Sequence, residues 1–317
     1  MAPSPQRLVA DIGGTNTRFA LAGPEGRLLA PQTLATRRFD SLADAARSYL
    51  ESTGARPREA CIAVAGPVTG DTVRLTNHRW AFSIAALREG LGLARLRVIN
   101  DFEAIALALP ALAADDLVQV GGAAPVRGRP MAVLGPGTGL GVAQLIATRG
   151  GFQPVSTEGG HASIGPCDEG ELQIFATLMR NGQQLCREAL LSGPGIERIY
   201  WALCLNRGGD YHGYSAAEIQ AHAVAGSDAT CHAALAHFCA FLGTAAGDQA
   251  LCCGAQGGVF IAGGIVPRFT EFLRHSRFRA RFEAKGPMRD YVSAIPVYVI
   301  TRDNPGMLGA ARADLDA

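Results

Sequence analysis

Three glycine-bearing turns hold the residues of this chain best suited to chemistry. The run Ala10-Asp11-Ile12-Gly13-Gly14-Thr15-Asn16 sets two adjacent glycines before a threonine and an asparagine. Glycine lets backbone N–H groups approach an anion with no Cβ in the way, and Thr15 and Asn16 add side-chain donors, so the turn suits a phosphate. Taken alone, it serves a plain hairpin equally well. A second turn, Gly137-Thr138-Gly139, stands in the other half of the chain, and Gly263-Gly264 closes the apolar run 259–262. Two such turns can grip the phosphates of one nucleotide from both sides. The third admits a nucleoside, because side chains are missing there. Asp11 lies among these amides, where phosphate repels a carboxylate unless a cation intervenes. It either orients magnesium through water or only stabilises its turn. Neither a P-loop nor the Gly-x-Gly-x-x-Gly dinucleotide fingerprint opens the chain, which disfavours those nucleotide folds.

Five polar positions accompany the turns. Asn100 and Asp101 place an amide and a carboxylate at the end of the strand-like run 96–99. Asp101 is either a reacting group or the cap of a helix beginning at Phe102. Glu158 and His161 stand three apart across Gly159-Gly160, and Glu188 precedes the turn Leu191-Ser192-Gly193-Pro194-Gly195. Singly, each is ambiguous: His161 is either a ligand-binding residue or a core histidine satisfied by a carbonyl, and Glu188 either a binding carboxylate or an ordinary exposed helix residue. Their occurrence beside two phosphate-type turns favours a polar binding site.

The elements that must position these residues alternate between strand and helix. Runs 7–12 and 17–22 predict a hairpin around the first turn, followed by a strand over 28–36 and a helix over 41–51 with Ser41 as its cap. Strands are expected at 61–65, 72–75 and 96–99, and helices near 83–91 and 102–109, the latter stopped by Pro110. Residues 111–130 read as a loop, and 131–134 with 140–147 repeat the pattern of strand, Gly-Thr turn, strand. Helices dominate 168–254, the longest over 229–253; strands follow at 259–262 and 297–300, and Pro305 opens a terminal helix. Alternation of this kind predicts an α/β protein whose ligands gather at strand carboxyl ends.

Composition excludes several partner classes. With 29 Lys and Arg against 28 Asp and Glu, no net field recommends nucleic acid or an anionic membrane. The segment 274–281 carries four Arg and a His, and reads as a solvated surface. Hydrophobic residues at 48% and charged residues at 18% suit a fully folded chain with a large core. Met1–Gln6 is Pro-rich and lacks a basic segment followed by a long apolar run, so no signal peptide is expected. No uninterrupted apolar stretch reaches the roughly 18 to 20 residues of a membrane helix. Eight scattered cysteines without paired short spacings predict reduced thiols in a cytoplasm and no zinc.

Seven motifs together resemble the bacterial glucokinase family. They are Asp-Ile-Gly-Gly-Thr-Asn at 11–16, Leu-Thr-Asn-His-Arg-Trp at 75–80, Ile-Asn-Asp-Phe at 99–102 and Gly-Thr-Gly-Leu-Gly-Val at 137–142. Glu-Gly-Gly-His at 158–161, Leu-Ser-Gly-Pro-Gly at 191–195 and Phe-Ile-Ala-Gly-Gly-Ile-Val-Pro-Arg-Phe at 260–269 complete the set, in the family's order. The resemblance implies a two-domain actin-like ATPase (ribonuclease H-like) fold with the active site in the interdomain cleft. The small domain would be 1–110, completed by the helix 305–317, and the large domain 111–304. It implies a cytoplasmic homodimer that uses ATP and magnesium, takes D-glucose and starts glycolysis, with the domains closing on the sugar. Asn100, Asp101, Glu158, His161 and Glu188 would bind glucose, and Asp101 would be the base for its 6-hydroxyl. Ala10, Asp11, Ile12, Gly13, Gly14, Thr15, Thr138, Gly263 and Gly264 would hold ATP, and Asp11 would reach the metal through water. Ala10, Pro136 and Ala189 stand where the family commonly has other residues; none removes a reacting group.

Three rival readings remain open on sequence. A kinase of another hexose, of the related ROK group, often carries a Cys-rich zinc motif after its Glu-x-Gly-His segment, and only Cys167 stands there. A non-catalytic sugar-sensing repressor on the same fold would need a DNA-binding helix pair before Asp11, where ten residues stand. A nucleotide-binding scaffold would have no need of the sugar carboxylates.

Overall fold

The computed structural model describes residues 6–76 and 78–316; the Pro-rich start at 1–5 and Asn77 of the 75–80 motif lie outside the described residues. The chain divides into two compact units, one of residues 1–112 with 302–317, the other of residues 113–301.

The first unit is built on a five-stranded sheet. Its elements run β1 (Arg7–Ile12), β2 (Asn16–Ala22), β3 (Leu28–Ala35), α1 (Leu42–Thr53), β4 (Glu59–Val64), β5 (Thr72–Arg74), β6 (Ala81–Ser83), α2 (Ile84–Gly90), β7 (Arg95–Asn100) and α3 (Asp101–Ala108). A C-terminal helix, Pro305–Arg312, returns to this unit. The sheet order is β3-β2-β1-β4-β7, antiparallel through the first three strands and parallel through the last three. Strand alternation sorts the core into two layers. Leu8, Ala10 and Ile12 with Ile62 and Val64 pack toward α1 and α2, whereas Val9, Cys61, Ala63 and Ile99 pack toward α3 and the C-terminal helix.

The second unit repeats the plan. Its elements run β8 (Leu117–Gln119), β9 (Met131–Pro136), β10 (Leu140–Thr148), β11 (Gly151–Thr157), α4 (Glu169–Arg180), α5 (Arg187–Leu190), α6 (Gly193–Arg207), α7 (Ala216–Ala225), α8 (Ala229–Cys253), β12 (Gly258–Ile261), α9 (Thr270–His275), α10 (Phe278–Glu283), α11 (Arg289–Ser293) and β13 (Val297–Ile300). The order β11-β10-β9-β12-β13-β8 again joins an antiparallel meander to two parallel strands, with β8 added antiparallel at the edge. β8 lies in the segment 111–130 expected to be loop. Its three residues are too few to show an alternating pattern. Helix α8 starts at an Asp228 cap, whose Oδ1 accepts from the amides of Thr230 and Cys231 at 2.7 and 2.8 Å, and ends at left-handed Gly254. By length and composition it could cross a membrane, with mean hydropathy 1.3, yet 61% of that window is buried inside the unit, as befits a core helix. All eight cysteines are free.

A second sequence expectation fails in this unit. The run 274–281 is not uniformly solvated: Arg274 and Arg277 are exposed, but Arg281 is 7% exposed. Helix α10 turns Phe278, Arg281 and Phe282 inward together, and a partner carboxylate distant in sequence neutralises the arginine.

Candidate functional site

In the first unit the turn 13–15 joins β1 to β2 and is closed by the Gly13 amide donating to the Asn16 carbonyl at 3.0 Å. Thr36, wholly buried just past β3, braces it. Its hydroxyl donates to the Gly13 carbonyl at 2.9 Å and its amide to the Thr15 carbonyl at 3.0 Å. The buried Thr17 hydroxyl is bonded to the Thr36 hydroxyl at 2.9 Å. Sequence reasoning missed both threonines, because a β-branched residue in or beside a strand carries no signal of its own. It also gave Ala10 and Ile12 to the nucleotide. Both are fully buried core positions in a central strand paired on each side, so their part is to fix where the glycines begin.

Asp11 faces Arg18 across the β1–β2 ladder, with Arg18 Nη1 3.1 Å from its Oδ2. Burial pushes the Asp11 carboxyl above its ordinary range, and the guanidinium opposes that shift.

Asn100 and Asp101 lie at the same sheet edge. The register sets Ile12 level with Val64 and Val64 level with Asn100. Two strand spacings of ~4.8 Å therefore put Asn100 about 10 Å from Ile12. Asn100, not Asp101, is the helix cap: its Oδ1 accepts from the amides of Phe102 and Glu103 at 2.8 and 3.3 Å. Its Nδ2 donates to the Gly66 carbonyl at 3.1 Å, leaving one amide hydrogen for a ligand. Asp101 is the first residue of α3, which begins one residue earlier than expected, and its Oδ1 accepts from the Phe102 amide at 2.9 Å.

In the second unit four sequence-singled segments converge on Leu140. The turn 137–139 joins β9 to β10, closed by the Gly137 amide donating to the Gly139 carbonyl at 2.8 Å, with Thr138 exposed at its tip. Glu188 is not an exposed helix residue. It is half-buried, and its Oε2 accepts from the Leu140 amide at 2.8 Å. Ser192 caps α6 and donates to the Glu188 carbonyl at 2.8 Å, and the neighbouring Gly193 amide donates to the Gly137 carbonyl at 2.8 Å. The sugar-motif glycine Gly160 packs so closely on the Leu140 carbonyl that any side chain would overlap it. That contact carries Glu158 and His161 on one short turn beside the same strand, both exposed; His161 is therefore no core histidine. Gly263 sits beside the Pro136 carbonyl at φ 85°, where a Cβ would collide, so it serves the protein's own backbone. A Cβ on Gly264, by contrast, would meet nothing within 4 Å, so open space adjoins that residue.

A glucokinase family model matches residues 8–316. A glucokinase of Chromobacterium violaceum is 47% identical over 306 residues, covering 96% of this chain and 88% of its own length. The chain belongs to the glucokinase family. Among solved structures, the glucokinase of an Antarctic psychrotroph superposes with a TM-score of 0.90 at 39% identity, covering 97% of this chain and 98% of that one. The fold extends further: a ROK family glucokinase from Streptomyces griseus, solved with glucose and AMPPNP, matches with a TM-score of 0.65 at 21% identity, over 96% of this chain and 98% of that one. The two-domain α/β fold of these sugar kinases is thus the fold of this chain.

For this glucokinase-family chain a magnesium ion is implied, and Asp11 is the carboxylate nearest the first turn in sequence. Among the described residues no group of three or more His, Cys, Asp or Glu could hold a metal directly. A single carboxylate suits magnesium, which keeps much of its water and takes its other ligands from substrate phosphates.

Proposed function

We propose that this protein is an ATP-dependent glucokinase in which Asp101 takes the proton of the glucose 6-hydroxyl. The observation that carries the assignment is the division of labour at residues 100 and 101. Because Asn100 caps α3, the Asp101 carboxylate is not required as the cap, although it stands at the same sheet edge as a phosphate-type turn. As that proton leaves, O6 bonds to the γ-phosphorus of ATP, the bond from γ-phosphorus to the bridging oxygen breaks, and ADP departs. The enzyme's work in such a transfer is positioning and charge stabilisation.

In this reading Gly13, Gly14, Thr15 and Thr138 are the phosphate-binding residues, and Gly264 admits the nucleoside. Asp11, through water, would help hold magnesium, which neutralises phosphate charge when bound. Glu158, His161, Glu188 and the remaining amide hydrogen of Asn100 take the sugar hydroxyls, which both donate and accept. Glu188 does so from a position fixed by the Leu140 amide. The reading extends to a cytoplasmic homodimer at the first step of glycolysis, which rests on the family resemblance.

The test is a coupled assay of ADP formation across a panel of hexoses. Glucose should give the highest kcat/KM. A higher value for another hexose, or no ADP with any, would overturn the assignment.

A further inference from the structure

A buried ion pair ties down the segment that follows His161. Glu171, in the first turn of α4, is fully buried, and Arg281 on α10 nearly so. The guanidinium grips the carboxylate twice, Nη1 to Oε1 at 2.7 Å and Nη2 to Oε2 at 3.1 Å. It also donates from Nε and Nη2 to the Thr244 hydroxyl of α8 at 3.2 and 3.0 Å. Glu171 Oε2 has one further task, accepting the Cys167 amide at 2.7 Å.

Residues 162–167 between His161 and that amide form neither helix nor strand and are mostly exposed. At the near end, the Ala162 carbonyl accepts the Arg187 amide at 2.9 Å, one residue before Glu188. The segment is therefore a strap tied at both ends, and it begins directly after a proposed sugar ligand. Two buried opposite charges rarely stabilise a protein more than apolar residues of equal volume. Apolar residues, however, offer no acceptor to the Cys167 amide.

We infer that Arg281 and Glu171 are positioning residues for the hexose: they anchor the strap 162–167 and so hold His161 and Glu158 in place. The inference rests on the proposed role of those two residues in binding glucose. If the pair served only to join α4, α8 and α10, the Cys167 amide would be dispensable.

Cys167→Pro removes that amide hydrogen and leaves the ion pair intact, while Cys167→Ala keeps it and serves as the control. Cys167→Pro should raise the glucose KM about tenfold, the order expected for one lost hydrogen bond to a charged group. The KM for ATP and the value for Cys167→Ala should stay near wild type. Hydrogen exchange should accelerate at 163–165 and not in α4, α8 or α10. The double variant Glu171→Met/Arg281→Met, if folded, should show the same glucose defect.

His161→Ala is titrated with glucose in parallel. Unchanged affinity there would refute the underlying sugar assignment. Weakened affinity there, beside a normal glucose KM in Cys167→Pro, would overturn the strap inference alone. So would a defect in Cys167→Pro shared equally by ATP and glucose.

Discussion

At the scale of single residues, the proposed mechanism is tested at Asn100 and Asp101. Asparagine at 101 keeps the size and the hydrogen-bonding oxygen but cannot accept a proton from a hydroxyl. Asp101→Asn should therefore keep its melting temperature and its glucose affinity, since Asn100 still caps α3. Its kcat should fall by roughly a hundredfold to ten-thousandfold, the usual contribution of a positioned base. Measuring kcat, glucose binding and melting on one preparation checks all three; near-normal turnover would end Asp101's candidacy as base. Sequence alone could not divide these roles, because each residue carries a side-chain oxygen able to accept the Phe102 amide, and in the structure each does. The burial of Arg281 was illegible for a different reason. Its carboxylate partner, Glu171, is 110 positions away, and charge patterning is read only among near neighbours.

At the scale of elements, the two phosphate-type turns are braced by different means, and each brace can be removed. Thr36→Val keeps the shape at a buried site and deletes the hydroxyl that holds the Gly13 carbonyl. Leaving a buried group without its partner costs about 1–3 kcal/mol. The expected outcome is a lower melting temperature and a raised KM for ATP with less change for glucose, read from steady-state kinetics and a thermal melt. In the second unit the adjacent glycines should part company. Gly263→Ala should destabilise the fold, because φ is 85° and the Pro136 carbonyl blocks the Cβ. Gly264→Leu should fold normally and weaken ATP binding, with glucose binding retained; a calorimetric titration showing unchanged ATP affinity would remove Gly264 from the nucleoside site. The hairpins around both turns were legible because glycine punctuates apolar runs. β11 was not, since Pro154 and polar residues at 153, 156 and 157 give an edge strand little apolar alternation.

At the scale of the whole molecule, both units join an antiparallel meander to two parallel strands, and each meander carries its phosphate-type turn between its first two strands in chain order. That repetition showed in the sequence as two strand, Gly-Thr turn, strand patterns, whereas strand order did not, because pairing between distant segments leaves no local trace. The first unit is discontinuous. Met307, Ala310 and Ala313 share a buried cluster with Val9, Cys61, Ala63 and Ile99, and Arg7 Nη1 donates to the Ala313 carbonyl at 2.6 Å. A chain stopped at Asn304 would bare that apolar layer, losing roughly 3–6 kcal/mol at the order of two buried side chains. It should melt at least several degrees lower and bind a hydrophobic dye; an unchanged melt would contradict the packing. The same discontinuity bears on birth of the protein at the ribosome, where domains tend to fold as units in the order they emerge. Residues 113–301 are complete while the partner of Val9 is still untranslated. The segment 7–108, made before the second unit, is thus enclosed after it, and the nascent chain depends on whatever shields that sheet until residues 305–312 emerge.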